Sequence, residues 1–359
     1  MSTSVLRRGR AGGIAAALLT VALATSACAT SGGGSGGGAS TDAQGRISLS
    51  VAASAGSIPG LPPIVAKEVG IFDKHGIDAN VITTLRGGGP IMSALSSGTA
   101  DVVAQTVSAS ATAKQQGSSV PLVSAQSAGV PYILVVGKGK AATPVATTGA
   151  GGWQETIKSL KGATISASGG GSAFDVILKG LFSDAGLAPT DFTNVNTTHG
   201  GPEVAALQNG QVDAVMADIG TALSLQSQAG GKAVLDMTKV GPDWLTQQAW
   251  SGFLTSQGAL AKNPTLADKW QAAMADTQKW MQDPANKAEL HRIATQVSKI
   301  PEDPDLDQAL VTFSGLLRTS FTEKQVQTTI DFMTRTGQLQ PQPVVKPADI
   351  VVPNVLGNG

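Results

Sequence analysis

Two stretches decide how this chain is read. The first is Gly88-Gly-Pro-Ile-Met-Ser-Ala-Leu-Ser-Ser-Gly-Thr-Ala-Asp-Val-Val-Ala-Gln105, and the second is Gly200-Gly-Pro-Glu-Val-Ala-Ala-Leu-Gln-Asn-Gly-Gln-Val-Asp-Ala-Val-Met-Ala217. They match at Gly-Gly-Pro, Ala-Leu, Gly and Asp, each offset by the same 112 positions (202 − 90, 210 − 98 and 213 − 101). Each copy spells a Gly-rich loop, a short helix opened by Pro and stopped by Gly, and an apolar strand after the Asp. Two such units a lobe's length apart predict two similar α/β lobes, each aiming a helix N-terminus at a shared cleft.

The rest of the body follows the same alternation. Strands are expected at Ile47–Ala53, Val81–Thr83, Val120–Ala125 and Tyr132–Val136, then at Ala163–Ala167, around Val195, and at Val234-Leu235 and Gly252–Leu254. A helical return follows. Its first apolar stripe is Leu266, Trp270, Met274, Thr277 and Met281; Asp283-Pro284 and Asp303-Pro304 open further helices, and Thr322 with Gln325 makes a capping box. The Pro-rich tail after Gly337 is expected to run extended over the surface. The fold class is therefore α/β, two-lobed, each lobe a doubly wound sheet, with the C-terminal helices returning to lobe one. The chain should cross between lobes near Tyr132–Gly139 and Gln247–Phe253, so lobe one comprises 46–135 and 250–359 and lobe two 136–249.

The N-terminal end reads as an export signal over 1–27. Arg7, Arg8 and Arg10 form a basic region, Ala11–Ala24 an apolar stretch short for a membrane span, and Ser26-Ala27 precede Cys28. This resembles a bacterial lipobox in which Cys28 is acylated, although Thr25 replaces the usual aliphatic residue. The Gly/Ser segment that follows, within 28–45, is a tether with a reach of about 20–25 Å. The expectation is a lipid-anchored protein on the outer face of a bacterial cell membrane. Cys28 is the sole cysteine, so the exported body must hold together without disulfides. The precursor has 25 basic and 25 acidic residues; without the three signal arginines the balance is 22 against 25, or −3. That balance offers no basic field for nucleic acid.

Pro62-Pro-Ile-Val-Ala-Lys-Glu-Val-Gly-Ile-Phe-Asp-Lys-His-Gly-Ile-Asp78 resembles the opening of ABC-importer substrate-binding proteins of the nitrate/sulfonate/taurine group, which includes SsuA-like and NMT1-type members. Leu95-x-x-Gly98-x-x-Asp101, Leu160–Ile165 and Leu207-x-x-Gly210-x-x-Asp213 match later landmarks of that group. The resemblance covers most of 47–335. It implies a type II periplasmic-binding-protein fold, one small solute bound between the lobes, and an ABC permease with its cytoplasmic ATPase as partner. It implies no cofactor, and a monomer is expected.

Helix N-termini favour an anionic or strongly polar solute, because their first amides lack partners, and the resemblance implies one of the sulfonate, nitrate or taurine kind. Four hydrogen bonds to a charged solute would contribute about 6–12 kcal/mol gross, against the ~8 kcal/mol of a micromolar complex. The candidate binding residues are Ser57, Ile58, Pro59, Arg86, Gly88, Gly89, Thr106, Ser108, Ser168, Ser172, Ala173, His199, Gly200, Asp218 and Trp250. Arg86 either grips an oxyanion in two bonds or is a solvated loop residue. His199 is a ligand contact or a loop polar group. Asp218 accepts from an amine or ring N–H, or caps the helix at Ile219. Trp250 stacks on a ligand or fills a hinge. Asp101 and Asp213 are read as structural. A pyrimidine-precursor binding protein and an anchored sensor without transport are the alternatives.

Enzyme readings fail on the residues. His75, His199 and His291 are scattered and form no metal-ligand pattern. Gly170-Gly-Ser-Ala-Phe174 lacks the last glycine of a nucleophile elbow. No catalytic residue and no metal site is expected.

Overall fold

The computed structural model describes residues 40–42, 45–54, 56–85, 88–139, 152–168, 172–197 and 201–357. The strands are β1 (Ser40–Thr41), β2 (Ile47–Ala52), β3 (Ile77–Ile82), β4 (Val102–Thr106), β5 (Leu122–Ala128), β6 (Tyr132–Val136), β7 (Thr164–Ser166), β8 (Thr193–Val195), β9 (Ala214–Asp218), β10 (Lys232–Asp236) and β11 (Ala249–Thr255). They form two separate sheets. The first has the order β3-β2-β4-β11-β5, with β1 also paired to β2; the second has β8-β7-β9-β6-β10. Position by position the two are copies. Parallel pairs β2/β3 and β2/β4 match β7/β8 and β7/β9, and the antiparallel β11 matches β6.

The duplicated aspartates set the register of each copy. Asp101 Oδ2 accepts from the Ser50 amide at 2.8 Å while its own N–H donates to Ser50 O at 2.7 Å. In lobe two, Asp213 Oδ2 accepts from the Thr164 amide at 2.8 Å and its N–H donates to Thr164 O at 2.8 Å. Each carboxylate thus pins the strand its helix has just returned to. The helix before it ends at Gly98 or Gly210, with φ of +74° and +67°, a conformation that glycine adopts without strain.

The antiparallel strand in each sheet is the one that has just crossed from the other lobe. The first crossing is Gly129–Pro131, earlier than the expected 135/136 boundary, because all of β6 pairs with β9 and β10. The second crossing delivers β11 to the first sheet. The crossings are bonded to each other: the Gly129 N–H donates to Gln248 O at 2.8 Å and the Val130 N–H to Leu245 O at 3.0 Å. Gly129 has φ +72°, and a Cβ there would lie 3.0 Å from Thr246 O. Beside this hinge, Phe332 of the returning helix Glu323–Arg335 stacks on Trp244 with centroids 4.4 Å apart. Arg335 covers the Trp244 ring at 5.0 Å and pairs with Asp184 of lobe two at 3.0 Å.

The C-terminal helices return to lobe one as read from periodicity. Leu266, Trp270 and Met274 pack with Ile47, Val102 and Phe253 of the first sheet. The other face takes Val326, Ile330 and Met333. Thr322 and Gln325 make the expected capping box. The tail departs from expectation. Leu339, Val345, Ile350, Val351 and Val355 are all buried in the lobe-one core, and a short helix, Pro347–Ile350, interrupts it. Proline prevents a long helix there, but the apolar residues between the prolines still gain by leaving water.

Replacing Asp101 or Asp213 with Ala leaves a strand amide without its charged acceptor, a loss of about 2 kcal/mol for a hydrogen bond to a charged group. Urea unfolding of either variant should show that loss. A change below about 0.5 kcal/mol at both positions would refute their structural role.

Candidate functional site

A cleft of about 550 Å³ opens between the two sheets. Lobe one supplies the loop Ser57-Ile58-Pro59, which leads through a 3-10 turn into the helix Leu61–Glu68. A buried polar network holds that loop. Gln126 Nε2 donates to Pro59 O at 2.6 Å, Ser251 Oγ donates to Gln126 Oε1 at 3.0 Å, and the Ser127 and Ser251 hydroxyls meet at 2.7 Å. The same lobe supplies a second wall, Ile300 to Leu306, backed by Phe313.

Lobe two supplies the end of β9 and the helix Ile219–Ser227. Asp218 is exposed and its Oδ1 accepts from the Thr221 amide at 2.9 Å, so the expected helix cap is present. The lobes approach closely here: a Cβ added to Gly220 would lie 3.5 Å from Ile58 Cδ1.

The floor between the lobes is aromatic. Tyr132, at the start of β6 and directly opposite Asp218 in the β6/β9 ladder, stacks on Phe174 with centroids 4.2 Å apart and planes at 22°. Trp250 of β11 meets the Tyr132 ring edge-on at 5.3 Å. Burial, and secondarily the Asp218 carboxylate, push the Tyr132 phenol above its usual range, so it stays neutral across physiological pH.

One side chain ties the walls together. Asp303 Oδ2, on lobe one, accepts from Ser224 Oγ at 2.7 Å and from Gln228 Nε2 at 2.9 Å, both on lobe two. Its Oδ1 accepts from the Asp305 amide at 2.9 Å. Neighbouring Glu302 lies 3.2 Å from His291 Nε2, and His291 Nδ1 lies 2.7 Å from Asp307 Oδ1. These carboxylates, Asp307 first, raise the His291 pKa above its ordinary 6.5.

Of the expected contacts, Ser57, Ile58, Pro59, Asp218 and Trp250 line this cleft. Arg86, His199, Gly200 and the acylation candidate Cys28 lie outside the described residues. The remaining seven are not among the residues lining it. Thr106 caps the helix Val107–Gln115 and accepts from Ser108 Oγ at 2.8 Å, so both hydroxyls serve the helix end. Ser172 caps the helix Ala173–Asp184 and donates to Ala167 O at 2.8 Å. Ala173 is exposed, Ser168 stands at φ +54°, and Gly88 and Gly89 open an exposed helix end. Sequence reading missed Tyr132, Phe174 and the whole 300–306 wall. Tyr132 was legible as the sole tyrosine at a predicted crossing. Asp303-Pro304 spells a helix start, and nothing local announces that Asp303 reaches the other lobe.

Two matched α/β lobes, joined by two crossings with a cleft between them, define the type II periplasmic-binding-protein fold. The chain belongs to the NMT1-like family, whose pattern matches residues 58–295. Its fold is shared by the alkanesulfonate-binding protein SsuA of Xanthomonas axonopodis pv. citri, solved with MOPS bound (16% identity, 85% of this chain and 98% of that one, TM-score 0.61). It is shared also by the aliphatic sulphonate-binding SsuA of Escherichia coli (15%, 83% and 94%, 0.63) and the nitrate-binding NrtA of Synechocystis PCC 6803 (15%, 86% and 86%, 0.61). No curated protein matches the chain.

Two outcomes follow from this geometry. Asp303→Ala removes both inter-lobe bonds; because the carboxylate is partly solvated, their net value is about 1 kcal/mol rather than the sum of two charged bonds. Solute affinity should fall about fivefold, with faster amide exchange in 219–228, and unchanged exchange there would count against the tie. The His291 cluster carries a pH signature. Its raised folded pKa means its stabilisation is fully present below pH 6.5 and fades as pH rises through the raised value. Melting curves of wild type and His291→Gln should therefore differ most at low pH and converge at high pH.

Proposed function

We propose that this chain is the extracytoplasmic capture subunit of an ABC importer, anchored to the outer face of a bacterial membrane through acylated Cys28 and handing one small solute to a permease. The observation that carries this reading is the cleft: two duplicated lobes joined by mutually bonded crossings, with Asp303 reaching across the opening. The family and the importer-related fold neighbours support it. The binding role needs no bond-making chemistry, and the cleft groups are suited to holding a solute: a neutral phenol, an indole, hydroxyls and carboxylates.

Two solute classes come from the sequence, an oxyanion and a small ring. The names of the SsuA and NrtA neighbours support the first. The stacked Tyr132–Phe174 pair and the edge-on Trp250 support the second, because flat faces recognise flat solutes. The ring reading rests on this chain's own residues and is preferred here.

Thermal denaturation of the full chain in non-ionic detergent, screened against organic cations, neutral rings, sulfonates, nitrate and carboxylates, tests the capture role. A solute at 100 times its dissociation constant adds about 2.7 kcal/mol to the native state, a shift of a few degrees for a body of this size. A flat response to every class would sink the capture reading. In cells, Cys28→Ser should move the protein from the membrane to the soluble fraction, and unchanged fractionation would overturn the anchor.

A further inference from the structure

We infer that the solute carries a positive charge on a small, flat frame, an inference that rests on the capture reading above and narrows it to an organic cation. The duplication itself exposes the feature. Thr106 and Asp218 occupy the same place in the two copies, at an offset of 112 (218 − 106), each at the end of a strand and each capping the next helix. Lobe one uses a neutral hydroxyl there, whereas lobe two puts a carboxylate into the cleft. A helix N-terminus usually attracts an anionic ligand, but here the chain's own carboxylate already holds that position. The cap uses Oδ1, and a carboxylate can accept several further donors.

The facing wall has the same sign. Asp303, Asp305 and Glu302 line it, and among the described lining residues there is no lysine or arginine. Asp303 is met by the neutral donors Ser224 and Gln228, which leave its charge in place. Asp305 Oδ2 is shielded from solvent and, among the described residues, has no hydrogen-bond partner, so its wall gains no compensating donor there. Among the described residues, Glu302 alone of these acids pairs with a basic side chain, His291 at 3.2 Å. Carboxylates from both lobes therefore converge on one volume whose floor is Tyr132, Phe174 and Trp250. Aromatic faces attract cations through the ring quadrupole, and carboxylates attract them by charge. An oxyanion in the same place would meet repulsion from both walls.

The test uses the full-length chain in non-ionic detergent, with three ring probes of similar size and different charge: N-methylpyridinium, 3-methylpyridine at pH 7.5, and benzenesulfonate. Calorimetric titration should rank the cation at least tenfold tighter than the neutral ring, with benzenesulfonate weakest. Asp218→Asn keeps a good cap, so the fold survives, while the charge is removed. It should weaken N-methylpyridinium at least tenfold and change 3-methylpyridine less than twofold. Trp250→Leu, a second variant, should weaken both rings. If benzenesulfonate or nitrate binds and the cation does not, or if Asp218→Asn leaves cation affinity unchanged, the charge inference falls while the capture reading stands. If no probe binds and the wider solute screen is also flat, both fall.

Discussion

Everything in this molecule depends on the pair of backbone bonds that joins its two crossings. Gly129 and Val130 donate to Gln248 and Leu245, so the two strands that exchange lobes do so side by side. Each lobe's sheet is completed only by a strand from across this junction, β11 in the first and β6 in the second. Neither sheet is whole without the crossing, so each lobe's fold requires the other lobe's chain. The hinge must also be narrow, because both crossings pass through it. A glycine at φ +72°, close against Thr246 O, meets that need where a side chain would press on the carbonyl.

That junction also explains the chemistry of the cleft. The crossing strands start at the cleft floor, so the residues at their beginnings, Tyr132 and Trp250, are forced into it. Phe174 in the first turn of the helix Ala173–Asp184 completes the apolar surface. Above that floor the walls carry carboxylates that are exposed or partly solvated, Asp218 and Glu302 the most so. The cleft thus sets acidic walls over an apolar floor.

The duplicated copies have diverged at their helix caps and kept their scaffold. Asp101 and Asp213 make the same two bonds to Ser50 and Thr164, at distances that agree within 0.1 Å. Thr106 and Asp218 cap equivalent helices with different charge. The scaffold positions answer to strand register, which is the same problem in both lobes. Of the capping positions, Asp218 lines the cleft and Thr106 does not, so the two answer to different surroundings.

Local periodicity and duplication were enough to place most of the strands, the returning helices, the capping box at Thr322 and the structural role of Asp101 and Asp213, but not β1, and β3 runs over Ile77–Ile82 where Val81–Thr83 was expected. These are short-range properties: spacing of apolar residues, a cap three residues from its partner, a glycine at a helix end. The resemblance of Pro62–Asp78 supplied the family, which the match over 58–295 bears out. What local sequence could not carry was long-range. Which lobe owns β6, the burial of Val345 and Val355 in the lobe-one core, and the reach of Asp303 to Ser224 and Gln228 are decided by residues far apart in the chain. A side chain's reach across a cleft depends on where two lobes are held, and only the folded junction holds them.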